Sequence, residues 1–186
     1  MKNKNYLEGI KKNFPLDRLK LTLEKLKDLN VLVIGDIIID IYTFVHPKGR
    51  AIKDPMLSTG FEYEEKYAGG VLAICNHLSS YVNKIKLVSL IGDKRPFLEF
   101  ISNSTAKNVE LKTFVKANSF TNIKKRYVDY YRNNKLFKIE YLNDEPISES
   151  LTKELVDYIS KEINEYDLVI VGDFGHGFIN IPIRKI

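Results

Sequence analysis

The sequence has few of the residues that staple, ligate or anchor a chain. Its one cysteine, Cys75, excludes an internal disulfide framework and any CxxC metal site. Tryptophan is absent, and the three histidines (His46, His77 and His176) show no HExxH or related spacing, so no metal site is expected. Neither GxxxxGK(S/T) nor GxGxxG occurs, which argues against a P-loop NTPase and a dinucleotide-binding Rossmann domain. No apolar run approaches the roughly 20 residues that span a membrane. The opening residues, MKNKNYLEGIKKNF, carry lysines but no apolar stretch of a secretory signal. The expectation is a soluble, cytoplasmic protein with no membrane partner.

Charge of one sign is also scarce once it is located. The net charge is +5, but residues 1–30 hold eight Lys/Arg against four Asp/Glu, or +4. The other 156 residues hold 21 against 20, or +1. The excess belongs to an N-terminal arm and the body is balanced, which disfavours a nucleic-acid partner.

What is present is periodicity. Leu16, Leu19, Leu23 and Leu26 recur at helical spacing and predict an amphipathic helix over 16–29. VLVIG (31–35), IKLVSLIG (85–92) and DLVIVGD (167–173) are continuous aliphatic runs, the pattern of strands buried on both faces. Helical segments are expected from Gly69 to about Tyr81, over 96–104, and after an N-cap at Ser148. The segment 46–60 carries Pro47, Gly49, Pro55 and Gly60 and is expected to be loop or turn. FEYEEKY alternates aromatic and acidic residues, and 122–142 reads as a hairpin turning at Arg132-Asn133-Asn134. The expectation is an α/β protein: a parallel sheet with helices on both faces, plus a small antiparallel flap at about 37–67 and 122–142.

In an open α/β sheet, ligands bind outside the carboxyl ends of the strands. Three polar clusters fall there: Gly35-Asp36 with Asp40, Gly92-Asp93, and the run Gly172-Asp173-Phe174-Gly175-His176-Gly177. Gly69-Gly70 opens a helix, where glycines let backbone N–H groups approach a ligand. Each has a plainer alternative. An Asp after a strand caps a turn, Gly-Gly before a helix is a turn, a lone histidine is uncatalytic, and Cys75 is core. Asp36, nearer the strand, reads as the more structural of the two aspartates. Lys124, Lys125 and Arg126 lie on one strand and point alternately, so at most two share a face.

In combination, "GDIIID", a flap, "AGG" opening a helix, and "LVSLIGD" resemble the ribokinase/PfkB carbohydrate kinases, closest to the heptose-phosphate kinase branch of ADP-heptose synthesis. "GRAIKDP", "TNIKKRYVD", "NNKLFKIEYLNDEP" and "DLVIVGDFGHG" continue the likeness in register. The resemblance implies a ribokinase-like three-layer sandwich with a β-flap lid and a sugar or sugar phosphate held between sheet and lid. It implies substrate roles for Asp36, Asp40, Gly69, Gly70 and Asp173. It further implies that Lys124 and Arg126 meet a substrate phosphate, with Arg50 and Lys53 as looser candidates for that role and His176 as a looser candidate for substrate binding. Many relatives have Asn where Ala73 stands, so one sugar contact is missing. Mg-ATP would be the phosphoryl donor of the complete enzyme, and a homodimer through lid strands is expected. The family's Gly-Ala-Gly-Asp, with its catalytic base and anion hole, does not occur in the sequence. The chain is therefore expected to be the N-terminal, sugar-binding portion of such a kinase, truncated and inactive alone. Residues 1–29 would form a helical extension and 30–186 the kinase part. A non-catalytic sugar-binding or regulatory module, and a basic nucleic-acid-associated module, are the rival readings.

Overall fold

The computed structural model describes residues 2–51, 53–142 and 144–186. Two helices, α1 (Lys2–Asn13) and α2 (Leu16–Leu26), precede the first strand. The leucine periodicity produced α2, but its apolar stripe stays open: Leu16 is 65% exposed, Leu19 44% and Leu23 49%. The helix stops three residues short of the expected end, where the Lys27 N–H turns back onto the carbonyls of Glu24 and Lys25.

The aliphatic runs form the expected parallel sheet, in the order β5-β4-β1-β8, from β1 (Asn30–Gly35), β4 (Lys84–Lys94), β5 (Val109–Phe120) and β8 (Leu168–Gly172). Alternate residues of β1 enter two cores. Val31 and Val33 pack with Leu72 and Cys75 of α3 (Val71–Leu78) on one face, in the cluster that also takes Ile101 of α4 (Leu98–Asn103). Leu32 and Ile34 pack with Leu155 and Ile159 of α5 (Glu149–Glu162) on the other. Burial on both faces is why these strands lack a polar alternation. It also pushes the Cys75 thiol up to about 12, consistent with an inert core position. VELKTFV, more polar than the other strands, joins the same sheet as its edge. Ser148 caps α5, its hydroxyl accepting from the Leu151 N–H at 3.2 Å.

A second sheet, in the order β3-β2-β6-β7, forms the lid. It comprises β2 (Ile37–Arg50), β3 (Leu57–Gly70), β6 (Asn122–Asp129) and β7 (Lys135–Tyr141). Two expectations need correction. The segment 46–60 is mostly strand: β2 and β3 pair as one long antiparallel hairpin, and of the described residues only 51 and 53–56 lie outside the two strands. Pro47 and Gly49 are absorbed at a register shift where β2 has lost its other neighbour, since pairing with β6 ends at Val45–Asp129. The lid is also not wholly antiparallel, because β2 and β6 run parallel. Among the described residues no helix is long and apolar enough to cross a membrane.

At the opposite end of the parallel sheet, Lys86 is 8% exposed, and a buried ammonium needs partners. Glu110, across the β4–β5 register, bonds Lys86 and lies 2.7 Å from Lys84 Nζ. Hydrogen bonds from Lys84 and then Lys86 hold the Glu110 carboxyl at about 2. A depressed folded value means that this stabilisation is full above the unfolded carboxyl's pKa, about 4.3, and is lost as pH falls through 2. Glu110 is nearly half exposed, so solvent screens the pair. Glu110→Gln is expected to cost about 0.5–1 kcal/mol at pH 7, with the gap closing near pH 2. Urea denaturation at both pH values checks this, and a pH-independent gap would exclude an ionic cause.

Candidate functional site

Strand β2 alternates its side chains between two environments. Ile39 and Ile41 point into the core beside Ile123 of β6. Asp40, Tyr42 and Phe44 point the other way and line a cleft of about 390 Å³ with Glu65 and Tyr67 of β3. The register explains the grouping, since Asp40 is opposite Tyr67 on one side and Lys124 on the other, and Tyr42 is opposite Glu65 and Arg126. Lys124 and Arg126 therefore share the Asp40 face. Lys125 lies on the opposite face, 2.7 Å from Glu64, which also accepts from the Thr43 hydroxyl at 3.0 Å.

The Asp40 carboxylate is paired with the Arg126 guanidinium. Arg126 also stands over the Tyr42 ring, 5.2 Å from its centroid. Tyr42 meets Tyr67 edge-on at 5.7 Å, and the Tyr67 hydroxyl donates to Glu65 at 2.6 Å. The cleft thus joins a carboxylate, a guanidinium and aromatic faces within reach of one another.

Both glycines of "AGG" are required by close approach. A Cβ on Gly69 would overlap the Asp40 carboxylate, and one on Gly70 would overlap the Asp36 carbonyl oxygen. Gly70 also has a φ of 58° and a ψ of −134°. The Val71 N–H donates to the same Asp36 carbonyl at 3.1 Å, so the start of α3 is tied to the β1–β2 junction.

Asp36 is 3% exposed and its Oδ2 accepts from the Phe174 N–H at 2.9 Å. Burial pushes its carboxyl pKa up, against the pull of that backbone bond. A raised folded value gives the protonated form the advantage: its stability contribution is present below the unfolded pKa of about 3.9 and is lost as pH rises through the folded value. At pH 7, Asp36→Asn keeps an acceptor and removes a buried charge, so its stability should match or exceed the parent's. Asp36→Ala leaves the Phe174 N–H without its acceptor and should cost about 1–3 kcal/mol. Thermal melts of the two variants check the order, and equal losses would mean that the charge itself is what matters.

The remaining candidates are dispersed. Arg50 and Lys53 are exposed at the far tip of the lid, with Arg50 ten residues along β2 from Asp40, roughly 33 Å at strand rise. The structure does not bring them to the Asp40 cleft. Asp173 caps a turn, accepting from the Gly175 N–H at 3.0 Å, and pairs with Arg184 at 2.8 Å. It borders a different, apolar cavity with Ile159 and Ile183. His176 bonds Asp144 and lies near Asp36 rather than Asp40. Tyr42, Phe44, Glu65, Tyr67 and Asp144 were not singled out from the sequence. The i, i+2, i+4 row Asp40-Tyr42-Phe44 was the available signal for the first two.

Comparison with known proteins follows the same lines. No family model matches the chain. It is 27% identical over 156 residues to the bifunctional protein HldE of Helicobacter pylori strain G27, covering 83% of this chain and 33% of that protein. It is 26% identical over 165 residues to HldE of Aliarcobacter butzleri, covering 86% and 33%. The chain thus spans about a third of the length of these curated relatives. Among solved structures, a possible 1-phosphofructokinase from Thermotoga maritima superposes with a TM-score of 0.58 at 13% identity, over 84% of this chain and 51% of that one. Phosphofructokinase-2 of Escherichia coli, solved with fructose-6-phosphate, gives 0.54 at 9% identity, over 79% and 47%. With its parallel sheet and its lid, the chain has the fold of these sugar kinases, and its sequence is similar to the HldE proteins over most of its length.

Proposed function

We propose that this chain is the sugar-binding portion of an ATP-dependent carbohydrate kinase, with a sugar or sugar phosphate, such as a heptose phosphate, in the lid cleft. The observation that carries this reading is the Asp40–Arg126 pair set among Tyr42, Phe44 and Tyr67. A carboxylate accepts two hydroxyl hydrogen bonds, and charge-assisted bonds of this kind are the strong ones. Aromatic faces cover the apolar side of a sugar ring, and a guanidinium fits a phosphate ester. In the free protein the two charges neutralise each other. A sugar phosphate would part them, taking hydroxyls to Asp40 and phosphate to Arg126.

The residues described do not fit a Mg-ATP site. No Gly-Ala-Gly-Asp occurs in the sequence, and among the described residues no cluster of three His, Cys, Asp or Glu could hold a metal. What these residues contribute is acceptor binding.

The test is calorimetric titration of the chain with mannose, fructose 6-phosphate and sedoheptulose 7-phosphate. A phosphate ester should bind more tightly than the neutral sugar, and Arg126→Gln should abolish that difference while leaving neutral-sugar affinity nearly unchanged. A folded chain that binds none of the three would overturn the reading.

A further inference from the structure

His176 has one ring nitrogen satisfied and one bare. Its Nδ1 lies 2.8 Å from Asp144 Oδ1. An ionised carboxylate only accepts, so Nδ1 carries the proton, and Nε2 of the neutral ring is left as an acceptor. That Nε2 is buried with no hydrogen-bond partner, and the residue as a whole is 8% exposed. Buried polar atoms in folded proteins are nearly always partnered, so each exception calls for a ligand, a water or a role. Among the described residues the other such atom is His46 Nδ1, whose ring is packed against Tyr130 and Tyr131 in the lid.

His176 lines a niche with Asp36, Gly92, Lys116, Thr121 and Asn122 at the carboxyl ends of β1 and β4. Several polar groups around it are already engaged. Asp36 accepts from Phe174, Thr121 accepts from the Gly92 N–H at 3.1 Å, and Lys116 donates to the Glu145 carbonyl. Of the described side chains that line the niche, His176 is the one with a buried nitrogen or oxygen that lacks a hydrogen-bond partner. The niche holds about 20 Å³, room for one water or one hydroxyl and too little for a sugar ring.

We infer that His176, held by Asp144 in the tautomer with Nε2 bare, accepts a hydrogen bond from a single hydroxyl of the bound polyol, whose oxygen fills this niche. Asp144 is a positioning residue: it fixes which ring nitrogen carries the proton. The inference rests on the sugar-binding reading and deepens it. The sugar would be gripped at two places, the Asp40 cleft and this niche, and the spacing between them would select the length and stereochemistry of the polyol.

The test labels the chain uniformly with nitrogen-15, so that histidine rings and backbone amides are both read, and titrates in mannose, fructose 6-phosphate and sedoheptulose 7-phosphate. The expected result is a His176 ring protonated at Nδ1, with an Nε2 resonance that moves upfield as at least one probe binds. His176→Phe keeps the ring volume, should melt near the parent, and should bind that probe about tenfold more weakly, the loss of one hydrogen bond. If a probe moves the Gly69 and Gly70 amides but not Nε2, the niche holds a water and the inference is wrong while the sugar-binding reading stands. A ring protonated at Nε2 overturns the inference directly. If no probe moves either region, the sugar-binding reading fails and the inference with it. Should His176→Phe not fold, the resonance shift alone decides.

Discussion

Replacing Gly70 by alanine is expected to destabilise the protein by about 3–5 kcal/mol, among the largest effects of any single methyl group in the chain. Two costs add. At a φ of 58° and a ψ of −134° a side chain is strained, and a position of that kind costs about 1–3 kcal/mol. The new Cβ would also overlap the Asp36 carbonyl oxygen, which is backbone and already receives the Val71 N–H. Neither atom can retreat without breaking the start of α3 or the β1–β2 junction. In a chain of this size the loss corresponds to roughly 10 °C or more in Tm. Calorimetric melting measures it. A Gly70→Ala variant that melts within a few degrees of the parent would show that this junction rearranges freely, and that its geometry serves neither fold nor site.

Asp40→Asn should act on binding instead. Losing one charge-assisted hydrogen bond weakens an interaction by about 1.5–3 kcal/mol, tenfold to more than a hundredfold in Kd. Folding should suffer little. The Asp40–Arg126 pair is partly open to solvent, and Arg126 keeps its place over the Tyr42 ring. The double variant Asp40→Asn, Arg126→Gln makes the assignment specific. If both residues contact one bound sugar phosphate, the two losses should couple rather than add, because removing either charge also removes the cost of parting the pair. Titration of the four proteins, with melts alongside, gives the result. An Asp40→Asn protein that binds every sugar as the parent does but melts much earlier would make Asp40 a structural residue and remove it from the site.

The sequence disclosed the parallel sheet because a strand covered on both faces must be aliphatic throughout, as VLVIG and IKLVSLIG are. It disclosed Asp40 for the converse reason: a carboxylate four residues beyond Asp36, with only isoleucines between, needs a partner. It misjudged 46–60 because Pro47 and Gly49 signal a turn locally, while a hairpin unpaired on one side tolerates both at a bulge. The pairing of Asp40 with Arg126 depends on a parallel register between strands more than 80 residues apart, and no local pattern encodes that. Asp144 was invisible for the same reason. It sits 32 residues before His176 in a segment without periodicity, and only the fold makes it the residue that sets the ring. The clustering of Arg50 and Lys53 with the substrate groups failed on distance, since ten residues of β2 separate Asp40 from Arg50.

Three of the lid's four connections to the rest of the fold contain almost no chain. Asp36 alone separates β1 from β2, Thr121 alone separates β5 from β6, and β3 passes directly into α3 at Gly70. Joints this short have no slack, so the lid cannot slide over the sheet; it can only pivot about the line of its roots. At about 3.3 Å per residue, the 14 residues of β2 make a lever of roughly 46 Å. A tilt of about 5° at the roots would carry the tip through about 4 Å, so a displacement of a fraction of an ångström at Asp36 or Gly70 is read out, magnified, at the Arg50 end.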